Sequence, residues 1–112
     1  MDGNDLEAVP SWNALWRHSR GWHRGLTLRG AAHATYTDAE ALVPQIAHRL
    51  GLPRRTVVAN IGAIPPRRAI GAERACLAAS FDRWLRGRDD GGLLDGTSGR
   101  FPEMRMFPQR RA

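Results

Sequence analysis

The sequence predicts a mainly α-helical fold: a small helical bundle, with a short β-hairpin as an option near residues 25–36. Three observations predict it. First, Ile70, Leu77, Phe81, Trp84 and Leu85 fall on one stripe of a helix running from about Ala69 to about Arg86. Second, residues 43–62, VPQIAHRLGLPRRTVVANIG, alternate an apolar helical face, a glycine and a second apolar face. Third, 112 residues at 42% hydrophobic content suit one domain with one modest core.

The elements follow in order. Ser11, after Pro10, is a candidate helix cap, and Trp12, Leu15, Trp16 and Ser19 then recur near helical spacing. Arg17, Arg20 and Arg24 share a face beside the tryptophan stripe, and Gly21 and Gly25 weaken the end of this helix. The tryptophans read as core. Leu26 and Leu28 alternate with Thr27 and Arg29, and Gly30 can turn the chain, which gives the hairpin option. Thr37-Asp38-Ala39-Glu40 matches a capping box, with Glu40 three residues after the cap. Pro44 either kinks the helix that follows or opens a new one. Ile46, Ala47 and Leu50 form its apolar face, Gly51 turns the chain, and Leu52 plugs the corner. Pro53 opens the next helix, with Val57 and Ile61 inward. Ile64-Pro65-Pro66 ends that helix, leaving Arg67 and Arg68 exposed. The last helix closes the core against Trp12 and Trp16, with a role as a dimer helix as the alternative, and Asp82 and Arg86 pair at i, i+4.

Charge divides the chain into an acidic tail at 1–10, a basic helical domain at 11–88 and a flexible Gly/Pro-rich tail at 89–112. The formal charge is +6, and all seventeen basic residues are arginine. Residues 1–10 hold three acids and no base, residues 11–88 thirteen arginines against four acids, and residues 89–112 four of each. A concentrated basic middle attracts polyanions, and each arginine is a planar fork that matches phosphate. No apolar run approaches the roughly 18 residues a membrane span needs. Asp2, Asp5 and Glu7 stand where a signal peptide carries cations, and the single Cys76 forms no internal disulfide and reads as a small core residue. The expected location is the cytoplasm.

Ile46, Ala47, Leu50, Gly51, Leu52, Thr56, Val57 and Ile61 together resemble the helix-turn-helix of bacterial repressors and related regulators. The resemblance spans residues 43–62, under a fifth of the chain. Asn60 departs from it, standing where such motifs carry an apolar residue, and so does Pro44. The resemblance implies a first helix through about Leu50 and a recognition-type helix from Pro53 to about Gly62. It implies double-stranded DNA as partner, and a homodimer as the common form. Arg54, Arg55, Thr56, Val58 and Ala59 would face the major groove; Arg17, Arg20, Arg67 and Arg68 would hold phosphates. The expected role is transcriptional control or a mobile-element DNA transaction.

The rival reading is a protein-interaction module, an inhibitor or assembly factor, with residues 101–112 docking on a partner through Phe101, Met104, Met106 and Phe107. RNA binding by the basic face is a second rival, and Arg110 and Arg111 are further candidate phosphate contacts. No catalytic constellation, metal site or cofactor motif is read. His18 and His23 do not share a face of a continuous helix, and Asp89-Asp90 reads as a glycine-flanked turn. The expectation is therefore a protein that is not an enzyme.

Overall fold

The computed structural model describes residues 6–96 and 99–107. Its elements are α1 (Pro10–His18), β1 (Leu26–Leu28), a 3-10 turn (His33–Tyr36), α2 (Ala39–Leu50), α3 (Arg54–Ile61), α4 (Pro66–Leu85) and β2 (Met104–Met106). The fold is mainly α, with one two-stranded antiparallel sheet among the described residues.

α1 starts at Pro10, whose fixed φ suits a first helical position, so Ser11 lies inside the helix and is not its cap. It ends at His18, and Ser19 is already extended. The face expected to carry Arg17, Arg20 and Arg24 therefore does not form, because Arg20 and Arg24 have left the helix. β1 takes no local hairpin partner. It pairs with β2 in the register Leu26↔Met106, Thr27↔Arg105 and Leu28↔Met104. The far half of the expected hairpin is the 3-10 turn, and Ala31 bridges to Gly62 instead.

The capping box is also corrected. The Thr37 hydroxyl donates to Ala34 O at 2.7 Å and accepts the Ala39 N–H at 3.2 Å, while the Glu40 side chain goes into the interior. α2 runs unbroken through Pro44. Gly51 adopts φ 64°, ψ 31°, the left-handed conformation that a helix stop needs, and the Leu52 N–H donates back to Ala47 O at 2.9 Å. α3 ends at Gly62, whose φ 79°, ψ 178° is open to glycine alone. A Cβ there would collide with the backbone of Gly30 and Ala32. The proline pair starts the next helix: α4 opens at Pro66 and takes Arg67 and Arg68 into its first turn.

The core gathers Leu28, Ala31, Ile64, Ala69, Ala72, Phe101 and Met104, with Leu26, Ala75, Cys76 and Leu93 packed against it. Phe101, Met104 and Leu93 come from the segment expected to be a flexible tail. Residues 93–96 and 99–107 instead lie against α4 and β1. Arg68 fixes them with a two-pronged grip on Glu103 (2.8 and 3.0 Å) and a bond to Arg100 O at 2.8 Å. Residues 1–5 of the acidic tail, and 108–112 with Arg110 and Arg111, lie outside the described residues.

The stripe expected to close the core faces outward. Leu77, Phe81, Trp84 and Leu85 are 54–76% exposed. α4 buries its small face, Ala69, Ala72 and Ala79, because alanines let the loop segment approach the helix closely. α2 behaves alike: Ala47 is buried, whereas Leu42, Ile46, Leu50 and the corner residue Leu52 are exposed. The i, i+4 pair of Asp82 and Arg86 is present at 3.4 Å.

Candidate functional site

The end of α1, the loop after it and the residue following β2 enclose an aromatic cleft of about 330 Å³. Trp12, Leu15 and Trp16 supply its helical wall, Phe107 the opposite one, and Ser19, His23, Arg24 and Gly25 the rim. Trp16 meets the His23 ring edge-on at 4.5 Å and the Phe107 ring edge-on at 5.9 Å. Gly25 is what lets Phe107 in: a Cβ there would overlap the phenyl ring, and the Phe107 N–H donates to Gly25 O at 2.8 Å. A second cleft, of about 530 Å³, shares Trp12, Arg24, Gly25 and Phe107 with the first and adds His33 and Tyr36.

The polar atoms of the first cleft are oriented. His23 Nδ1 lies 2.7 Å from Gly21 O. A carbonyl only accepts, so Nδ1 carries the proton and, in the neutral ring, Nε2 presents a lone pair. The Ser19 hydroxyl donates to Leu15 O at 2.7 Å. Arg24 clamps the loop by donating to Leu94 O (3.0 Å), His23 O (2.9 Å) and Asp95 (3.2 Å). Asp95 also accepts from Arg83 at 2.9 Å, and Arg83 and then Arg24 hold its carboxyl below the usual range. The guanidiniums of Arg24 and Arg83 lie over Trp22 at 4.7 and 5.0 Å, and Trp22 leans on Trp84 at 5.1 Å.

A pair of carboxyls lies elsewhere, between α2 and α4. Glu40 is completely buried, and neither of its oxygens has a hydrogen-bond partner among the described residues; one oxygen of Glu73 shares that state. Burial first, and the Glu73 charge second, push Glu40 up to about 7. Burial raises Glu73 as well.

The residues expected to read DNA lie on α3, in the first turn of α4, at the end of α1 and in the loop after it. α3 carries Arg54, Arg55 and Ala59 exposed and Thr56 and Val58 half-buried. Arg54 and Val58 line a cleft of about 480 Å³ with Pro44, Val57 and Ile61, and the Thr56 carbonyl accepts the Asn60 amide at 2.7 Å. Arg67 is exposed, but Arg68 is spent on Glu103. Arg17 ends α1 and Arg20 lies in the loop beyond it, both exposed. Asp89 and Asp90 each accept a glycine N–H two residues on, and Asp90 also pairs with Arg83 at 3.4 Å. Among the described residues, no three His, Cys, Asp or Glu side chains converge as metal ligands.

The chain is similar to a probable 1-alkyl-2-acetylglycerophosphocholine esterase of Arthroderma benhamiae, 27% identical over 99 residues. That match covers 84% of this chain and 25% of the relative, so the chain spans about a quarter of the relative's length. No family model matches the chain. No solved structure matches it either.

This likeness overturns the expectation of a DNA-binding transcriptional regulator: the relative is named for ester hydrolysis, and no likeness to a DNA-binding protein accompanies it. The expectation that the chain is not an enzyme meets the same finding. No helix among the described residues is long and apolar enough to cross a membrane.

Sequence reasoning missed the cleft for a definable reason. On one continuous helix His18 and His23 would lie on different faces, but the helix stops at His18, and the ring of His23 is aimed by loop backbone. Gly21 and Gly25 were the available signal: two glycines bracketing a histidine mark a loop that can fold back on itself.

Proposed function

We propose that this chain handles carboxylic esters with an apolar substituent, and that His23 is the base of its site. The observation that carries the reading is the tautomer of His23. With Nδ1–H held by Gly21 O, Nε2 is the nitrogen left to accept a proton at the rim of an aromatic cleft. The likeness to a lipid esterase supports the substrate class, and it concerns only a quarter of that relative.

In the proposed reaction Nε2 takes a proton from water as the oxygen attacks the ester carbonyl. The acyl–oxygen bond then breaks, and the proton passes to the departing alcohol. Trp12, Trp16 and Phe107 pack on the apolar part of the ester and keep bulk water from the ring. Ser19 places a hydroxyl on the rim of the same cleft.

The test is hydrolysis of short-chain p-nitrophenyl esters. General-base removal typically costs about 10²–10⁴-fold, so His23→Gln is expected to lose nearly all turnover, whereas His48→Gln, altered on exposed α2, keeps it. Ser19→Ala keeps its rate if water is the nucleophile and loses it if the hydroxyl attacks. Equal rates for the unmodified chain and His23→Gln would remove the assignment.

A further inference from the structure

The outward stripe of α4 calls for an occupant. Arg67, Ile70, Arg74, Leu77, Phe81 and Trp84 follow one another at steps of three and four, and Leu85 stands four after Phe81, which places them on a single face. Leu77, Phe81, Trp84 and Leu85 are more than half exposed, and Arg67 and Arg74 are exposed with no ion-pair partner among the described residues. Arg86 and Arg88 are exposed just beyond the apolar end. Of the acids near this face, Asp82 pairs with Arg86, Asp90 pairs with Arg83, one Glu73 oxygen is buried, and Asp89 accepts the Gly91 N–H.

We propose that this face docks on an anionic phospholipid surface, with α4 lying in the plane of the interface. Leucine, phenylalanine and tryptophan enter the headgroup–acyl boundary, and arginines at both ends meet the phosphates. Charge selects this occupant over a second copy of the chain. Each copy carries +6, so pairing this face with itself would bring unpaired arginines toward more positive charge. An anionic surface neutralises them. Trp84 leans on Trp22, the neighbour of His23, so the face is continuous with the rim of the aromatic cleft. The docking does not rest on the ester chemistry, and its measurement involves no turnover.

The experiment is co-sedimentation of the full chain with phosphatidylcholine–phosphatidylserine vesicles and with phosphatidylcholine alone. Binding is expected to the mixed vesicles, to weaken with added salt and to be weaker on the neutral ones. Arg74→Ala should cost about fivefold in affinity, and Leu77→Ser with Leu85→Ser on the order of tenfold or more. Both leucines are exposed, so circular dichroism should show unchanged helix content. Should the leucine variant misfold, Arg67→Glu with Arg74→Glu makes the same test through charge alone. Binding that ignores both sets of substitutions overturns the proposal. So does a chain that leaves vesicles untouched, whether it sediments as a monomer, as a dimer that loses its partner on Leu85→Ser, or with a bound protein.

Discussion

Single residues carry the strongest departures from ordinary behaviour. Glu40 is a buried carboxyl with no hydrogen-bond partner among the described residues, which makes its ionised form costly. Its folded pKa of about 7 stands above the ordinary 4.5, so the folded state holds the proton more tightly. Below about pH 4.5 the group is protonated in both states and stability is at its full value. As pH rises from about 4.5 toward 7 the unfolded chain ionises first and stability falls, by on the order of 3 kcal/mol in total. Glu40→Gln has no proton to lose. Its melting temperature should fall less between pH 5 and pH 8 than that of the unmodified chain, with the raised Glu73 carboxyl left to supply the remaining slope, and should stand above it at pH 8. Thermal melts at both pH values check this, and an unchanged pH slope in the variant would show that the slope arises elsewhere.

Between elements, a few side-chain contacts set how the helices meet. Thr35 is the joint between the 3-10 turn and α3. It is fully buried; its hydroxyl donates to Ile61 O at 2.6 Å and accepts the Ala32 N–H at 2.8 Å. Immediately after Ile61, Gly62 lets the chain pass so close to Gly30 that the Ala63 N–H donates to Gly30 O at 2.7 Å. Thr35→Val keeps the shape and removes both bonds, leaving a buried donor and a buried acceptor. The expected loss is about 1–3 kcal/mol, read as a lower urea midpoint with an unchanged slope. The histidine loop is held similarly: Arg24 and Arg83 converge on Asp95, so the loop that aims His23 depends on a carboxylate more than seventy residues away in sequence.

For the whole molecule, the decisive feature is that residues 93–96 and 99–107 are part of the fold. Phe101 and Met104 are 5% and 4% exposed, within the same cluster as Leu28, Ala69 and Ala72. A tail would tolerate Phe101→Ala. A core residue would not, and the expected cost is about 3–5 kcal/mol, a large part of the stability of so small a domain. Chemical denaturation measures it, and a cost near zero would return the segment to the status of a tail. The same segment supplies β2 and Phe107, so that variant should also weaken any ester turnover in the aromatic cleft. Covering the core this way leaves the large apolar residues of α2 and α4 outside it, which is what gives the chain a surface to offer a lipid interface.

Local spacing was enough to place the α2–Gly51–α3 corner, because a helix stop needs a left-handed residue and glycine supplies one within a few positions. The Asp82–Arg86 pair, the helical character of α4 and the basic middle of the chain were legible for the same reason: each is settled by neighbours on one helix or by composition. Which face of a helix is buried was not legible, since an apolar stripe shows only that a partner is wanted. Here the alanines met that partner, and Leu77, Phe81 and Leu85 did not. Nor could spacing pair Leu26 with Met106, bury Glu40 where a cap was expected, or bring His23, Trp16 and Phe107 to one cleft. Those contacts reach beyond one helix or strand, and they are set by the burial of apolar surface between separate segments rather than by local spacing.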